Sequence, residues 1–253
     1  MRLLLSNDDG ILARGLAALE RAATPLGEVF VVAPDREQSA TSHSLTMHHP
    51  LRPVQIAENR WQVDGTPTDC VMLALEALLS ERPDFVLSGV NHGPNMGEDV
   101  LYSGTVAAAM EGLALGVPAI AFSFAGSVLR ADALLDDHVG TIERILRHIT
   151  GLPVFPESTL FNVNIPPVAA DQLKGFRLTR LGRRAYSDSL TRMKDPWGRP
   201  IYWIGGGSVD WKDSAADSDF QAIADGFVSI TPLHLDLTHR AVLDSAEQWW
   251  RPL

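Results

Sequence analysis

An apolar run that stops dead at two adjacent carboxylates constrains this chain more than any other feature: Leu3-Leu4-Leu5 is followed by Ser6-Asn7-Asp8-Asp9-Gly10. A short apolar run bounded by turn residues reads as a buried strand, and Gly10 has the backbone freedom to leave it sharply. Neighbouring side chains of a strand point to opposite faces, so Asp8 and Asp9 serve one site only if the chain has already begun to turn at Asn7. Two like charges so close repel, and each is costly to bury without a partner. The pair reads either as a solvated turn, since Asp, Asn and Gly are common turn formers, or as part of a site for a hard divalent cation. Mg2+ or Mn2+ would be held there by a few carboxylates and waters.

The rest of the chain is long enough to build on that strand. With 253 residues, 45% of them hydrophobic and 21% charged, it accommodates one good core with an appendage. The formal net charge of −10 argues against nucleic acid as a partner, because that binding rests on Lys and Arg neutralising phosphates. A small anionic substrate would need local positive potential from a metal or a helix N-terminus. Cys70 is the single cysteine, which excludes an internal disulfide and fits a reducing compartment. The carboxylates interrupt the first apolar run too early for a signal peptide, and no apolar segment has spanning length. The expectation is a cytoplasmic protein with no membrane partner.

Strand, helix and strand follow in close order. Leu16, Leu19, Ala22 and Ala23 recur at helical spacing before Pro25 and Gly27, and Val29-Phe30-Val31-Val32-Ala33 reads as a second buried strand. A long polar loop, residues 34–44, leaves that strand. Residues 50–64 suggest short strands around a turn at Glu58-Asn59, and Thr66-Pro67-Thr68-Asp69 reads as a capped helix start. Residues 84–88 form the next strand, and the Gly- and Asn-rich stretch 89–105 reads as a loop. Helical periodicity resumes at Val106, Met110, Leu113 and Val117. Residues 118–122 are a strand, 134–149 a helix, and 161–165 a strand that ends the sheet at Pro166-Pro167. The expected fold is α/β, a Rossmann-like, doubly wound, mostly parallel sheet.

Past Asp171 the character changes. Arg177, Arg180, Arg183 and Arg184 cluster, and Trp197, Trp203 and Trp211 flank turn residues including Gly205-Gly206-Gly207. We expect residues 1–170 to form the catalytic core and 171–253 a C-terminal β-hairpin arm, a returning strand at 227–232 and a terminal helix at 242–250. A short helix is expected at 217–224. The adjacent Trp249 and Trp250 suggest packing on the body or on a neighbouring chain.

In a doubly wound sheet, ligands sit beyond the carboxyl ends of the strands at the switch point. Right-handed crossovers bring Asp8 and Asp9, Ser39 with Ser42-His43, and Asn91 with Asn95 to one edge. Two carboxylates, a hydroxyl and amide oxygens make a hard-cation donor set, and no Cys/His spacing suggests zinc. Ser103-Gly104-Thr105, at a helix start, is either an anion cradle or plain N-capping. A metal beside a phosphate pocket points to metal-assisted phosphate hydrolysis. His43 and His92 are general acids or loop hydrogen bonders. An aspartyl-phosphate phosphatase would need two Asp separated by one residue, whereas Asp8 and Asp9 are adjacent. A non-catalytic nucleotide sensor would use the same residues.

Several motifs occur in order along the chain: Leu5-Ser6-Asn7-Asp8-Asp9-Gly10, Val32-Ala33-Pro34-Asp35-Arg36 with Gln38-Ser39, Gly65-Thr66-Pro67-Thr68-Asp69-Cys70, Ser88-Gly89-Val90-Asn91-His92-Gly93-Pro94-Asn95, Tyr102-Ser103-Gly104-Thr105, Asn162-Val163-Asn164-Ile165-Pro166 and Val228-Ser229-Ile230-Thr231-Pro232-Leu233. Together they resemble the SurE, or stationary-phase survival protein, family of metal-dependent nucleotidases. The resemblance implies a Rossmann-like domain whose C-terminal arm exchanges elements between subunits of a dimer or tetramer. It implies hydrolysis of nucleoside 5′- or 3′-monophosphates, and of short polyphosphate in some members. By motif match Asp8, Asp9, Ser39 and Asn91 are the ligands of one Mg2+ or Mn2+ per subunit, with Asp8 and Asp9 catalytic. Asn95, Ser103, Gly104, Thr105 and His43 fall on the phosphate and substrate side. One departure stands out: the family loop reads Gln-Ser-Gly, and here Ala40 follows Ser39. If that position needs a positive φ, alanine strains it.

Overall fold

β1 (Arg2–Ser6) lies at the switch point of the sheet that organises the molecule. The computed structural model describes residues 1–186, 190–204, 209–211 and 215–250. After β1 the chain crosses through α1 (Arg14–Ala23) to β2 (Glu28–Pro34), which pairs parallel to one side of β1. The antiparallel pair β3 (Pro53–Ala57) and β4 (Arg60–Val63) extends that side, turning at Asn59 with φ of 53°. The chain returns through α2 (Pro67–Leu73) to β5 (Phe85–His92), parallel to the other side of β1. Then follow α3 (Gly104–Ala114), β6 (Ala119–Phe124), α4 (Val128–Leu134), α5 (Val139–Thr150) and β7 (Thr159–Ile165). The expected doubly wound, mostly parallel sheet is present.

The three leucines of β1 show why the strand sits between two layers. Leu3 and Leu5 join Leu16 and Leu19 of α1 and Ile142 and Leu146 of α5 in one apolar cluster. Leu4 faces Val71 of α2 and Val106 of α3 in the other. The alternation of a strand thus divides one run between two cores, and each fully buried leucine contributes roughly 1.5–3 kcal/mol.

Three expectations need correction. The stretch 89–92 is not loop, because β5 runs on to His92 across a bulge between Ser88 and Asn91. Gly89 permits this: its φ is +119°, and a Cβ there would lie 2.2 Å from the carbonyl oxygen of Phe122. The helix expected at 134–149 starts later, as α5 from Val139, and the sequence reading missed α4 before it; the turn between the two carries Asp136, which pairs with Arg14 and Arg21 of α1. Nor does the sheet end at β7. After it come β8 (Phe176–Leu178), β9 (Arg184–Tyr186), β10 (Leu190–Lys194), β11 (Pro200–Ile204), β12 (Val209–Trp211), α6 (Asp219–Ala224) and β13 (Val228–His234). β13 pairs antiparallel with β7 and carries β8 on its far side.

The hairpin β10–β11 and the ribbon β9–β12 form separate two-stranded sheets, as the reading of an arm expected. α7 (Arg240–Trp250) ends the described chain. The Gly205-Gly206-Gly207 turn and the side chains of Trp211, Trp249 and Trp250 lie outside the described residues. Among the described residues, no helix is long and apolar enough to cross a membrane.

Candidate active site

The carboxyl end of β1 turns at once into the site. Asn7 Nδ2 donates to the carbonyl of Gly10 at 2.9 Å, closing the turn that the sequence suggested. Asp8 is buried, at 5% exposure, and its Oδ1 accepts a short hydrogen bond from the Thr105 hydroxyl. Burial pushes the Asp8 carboxyl up to about 6; the Thr105 hydroxyl works against that rise and the neighbouring Asp9 adds to it. Asp9 is also raised by burial, opposed by His92 and reinforced by Glu37. His92 approaches Asp9 Oδ2 with its amide at 3.2 Å and with Nδ1 at 3.6 Å.

The start of α3 abuts Asp8. Ser103 is the N-cap, its hydroxyl accepting from the Val106 amide at 3.0 Å. Gly104 comes so close that a Cβ there would lie 2.8 Å from Asp8 Cβ. The capping reading of the triplet is thus present, at a helix end that abuts Asp8. Ser103 caps, Thr105 holds Asp8, and the positive end of α3 faces a carboxylate.

The loop after β2 passes over this edge. Its Gln38 amide donates to the Asp8 carbonyl at 2.7 Å, and Ser39 Oγ donates to Glu37 Oε1 at 2.6 Å. Ala40 and Ser42 then take φ of 57° and 54°, so Ala40 does occupy a left-handed conformation that glycine would adopt freely. His43 Nε2 lies 2.7 Å from Glu111 Oε2. On the neighbouring strand, Asn91 Nδ2 donates to the Gly93 carbonyl at 3.0 Å. Asn95 Nδ2 donates to Ser123 Oγ at 2.8 Å.

The structure thus brings Asp8, Asp9, Gly104, Thr105 and the backbone before Ser39 into contact or close approach. The Ser39 side chain bonds within its own loop, and that of Asn91 bonds to Gly93 just past the end of β5. The reading of single residues missed several groups. Asn164 accepts from the Asn95 amide at 2.9 Å, and Asn162 and Asn164 both donate to its carbonyl. Alternation puts those two side chains on one face of β7, a spacing visible in the sequence. Asp219, at the start of α6, accepts from the amides of Gly97 and Gly182; nothing in the local sequence marks that contact across the chain.

A hard divalent cation fits the donor set. Burial drives two carboxylates upward, with His92 opposing the rise at Asp9 alone, and Asn7 Oδ1, Ser6 Oγ and Ser88 Oγ are buried without partners among the described residues. Among the described residues no cluster of three or more His, Cys, Asp or Glu is suited to a metal. The donors would accordingly be mixed oxygen groups.

Comparison with known proteins bears on the same edge. The family model described as "Survival protein SurE" matches residues 3–188. A protein of Gemmatimonas aurantiaca called "5′-nucleotidase SurE" is 74% identical over 251 residues, covering 99% of each chain. One of the same name from Vibrio cholerae is 48% identical over 250 residues, 98% of this chain and 97% of that one. A crystal structure of a SurE protein from Aquifex aeolicus superposes with a TM-score of 0.86 at 42% identity, covering 98% of this chain and 99% of that one.

Proposed function

The chain belongs to the SurE family, and from that premise we propose that it is a nucleotidase that removes phosphate from nucleoside 5′-monophosphates. The carrying observation is the acidic pair at the switch point, Asp8 buried against the N-terminus of α3 and Asp9 half-buried beside it. The name 5′-nucleotidase borne by relatives at 74% and 48% identity supports the substrate class. Activity on 3′-monophosphates and on short polyphosphate is part of the proposal.

In this reading Asp8, Asp9, Ser39 and Asn91 hold one Mg2+ or Mn2+ per subunit. Such a cation, when bound, polarises a phosphoryl oxygen and lowers the pKa of water. The side chains do the rest. Asp8 is held by Thr105, so its orientation is fixed before substrate arrives. Asn95, pinned by Asn162, Asn164 and Ser123, presents a preorganised polar group to phosphate. The Gly104 and Thr105 amides oppose the charge that develops on the transferred group. His43 is available to substrate through Nδ1, because Nε2 is engaged with Glu111.

The site segments are tied to residues 171–253 through Asp219, which supports reading a 1–170 catalytic core and a 171–253 arm, returning strand and terminal helix as one structural unit. Assembly into a dimer or tetramer through the arm is proposed from its surface: Met193, Tyr202, Trp203 and Ile204 are all exposed on one hairpin. Isolated hairpins are marginal in water, and such apolar surface calls for a partner. A cytoplasmic location accords with the nucleotide substrate.

The test is phosphate release from a panel of nucleotides after chelation and after restoring Mg2+ or Mn2+. Release that requires the metal and favours 5′-monophosphates is the expected result. Full activity in excess chelator, or none on any nucleotide, would overturn the reading.

A further inference from the structure

Glu111 is the only charged residue of α3, and it is buried at 6% exposure within a helix whose neighbours pack into an apolar layer. A carboxylate in such a place is costly unless paired. The partner it meets is the imidazole of His43, at 2.7 Å. That histidine belongs to the loop carrying Ser39. Two of its residues are left-handed, Ala40 and Ser42, so its backbone does not choose this path unaided. The path is imposed by fasteners on elements outside the loop. Ser42 Oγ donates to the Leu101 carbonyl, Thr66 Oγ1 to the Ser44 carbonyl, and Thr46 binds Asp69 through both its amide and its hydroxyl. The contact nearest in sequence to Ser39 that ends on a charged group of another element is His43–Glu111.

We infer that Glu111 is a positioning residue which, through His43, fixes the loop that presents Ser39 to the acidic pair. The inference rests on the reading of Ser39 as a metal ligand. Glu111 reaches neither metal nor substrate; it reduces the number of arrangements the loop samples before a cation binds. Its loss should therefore appear as weaker metal binding rather than slower chemistry.

The experiment measures Mn2+ binding to the substrate-free full-length protein by electron paramagnetic resonance, together with amide exchange over residues 38–44. Glu111→Leu keeps the volume, removes the contact and relieves a buried charge, so it should fold. His43→Ala cuts the same contact from the exposed side. Each should weaken Mn2+ binding about three- to tenfold, as expected for one partly solvated charged hydrogen bond. The double variant should be no weaker than the worse single one. Exchange over 38–44 should quicken in both, and kcat of Glu111→Leu at saturating Mn2+ should stay within about twofold. Glu111→Gln, which keeps a hydrogen-bond acceptor, should recover part of the affinity. Wild-type affinity in Glu111→Leu, or additive losses in the double variant, would overturn the inference while leaving the metal reading intact. Failure of the wild-type protein to bind Mn2+ would remove both.

Discussion

Ala40→Gly tests the left-handed position after Ser39, where the sequence resemblance leads one to expect glycine. Ala40 has φ of 57°, and the left-handed region costs an L-residue with a Cβ roughly 1–2 kcal/mol. Glycine escapes that cost but is freer in the unfolded chain, which returns about 0.4–1 kcal/mol to the unfolded state. The two terms leave a net gain of about 0.5–1 kcal/mol for Ala40→Gly. In a protein of this size that corresponds to a rise in Tm of about 1–4 °C. The neighbouring turn contact, Thr41 Oγ1 donating to the Gln38 carbonyl at 2.8 Å, involves no atom of the Ala40 side chain, so the substitution should leave it in place. Thermal unfolding of the metal-free protein, followed by calorimetry, is the assay. A fall in Tm of 1 °C or more would refute the reasoning, since it would mean that the loop draws no strain from alanine at this φ.

Asp8→Asn should abolish turnover yet stabilise the metal-free protein at pH 7. A carboxyl raised from 3.8 to about 6 on folding penalises the folded state by up to about 3 kcal/mol once ionised. That penalty is absent below pH 4 and complete above pH 6, so the advantage of Asp8→Asn should shrink as pH falls from 7 to 4; an advantage that grows in acid would reverse the assigned cause. Gly104→Ala should lower both activity and Tm, although alanine ordinarily favours a helix over glycine by about 1 kcal/mol. The new Cβ meets Asp8 Cβ at 2.8 Å, and a rise in Tm would show that this approach is not tight. Asn164→Ala, which removes an acceptor and a donor from the Asn95 backbone, should cost about 1–3 kcal/mol of stability and reduce kcat at least tenfold, measured by unfolding and phosphate release. Deleting residues 190–204 should reduce the molar mass seen by light scattering at micromolar concentration, whereas a monomeric full-length protein would sink the assembly proposal.

Local signals carried further than expected in some stretches and failed in others for a common reason. The capping box at Thr66 and Asp69 is complete, with the Thr66 amide on Asp69 Oδ2 and the Asp69 amide on Thr66 Oγ1, because both partners lie within one helical turn. The alternation of Leu3, Leu4 and Leu5 between two cores was equally readable, since it depends only on strand geometry. What Asp69 also does, gripping Thr46 across 23 residues, has no local signature. The same holds for Gly97 on Asp219, a separation of 122 residues, and for His43 on Glu111. In residues 89–92 the composition misled outright: glycine and asparagine signal a loop, but Gly89 is there so that β5 can bulge against Phe122 without a Cβ.

On the proposed metal-dependent reading, these distant contacts hold the acidic pair in place before a cation binds. Two carboxylates raised by burial tend either to protonate or to swing towards water, and both escapes are hindered. Thr105 and the close backbone of Gly104 hold Asp8 from α3, while the His92 amide holds Asp9 from β5. β5 in turn leads into a segment fixed at Asn95 from β7 and at Gly97 from α6. Each restraint comes from a different element of the sheet and its layers, so no single loop movement releases the pair. The cost of holding the charges together is thus spread over the fold, and a cation bound in the proposed site would offset part of the burial penalty at Asp8. Metal affinity and stability are then linked in one direction: a substitution that lowers the penalty stabilises the empty protein and weakens its hold on the cation.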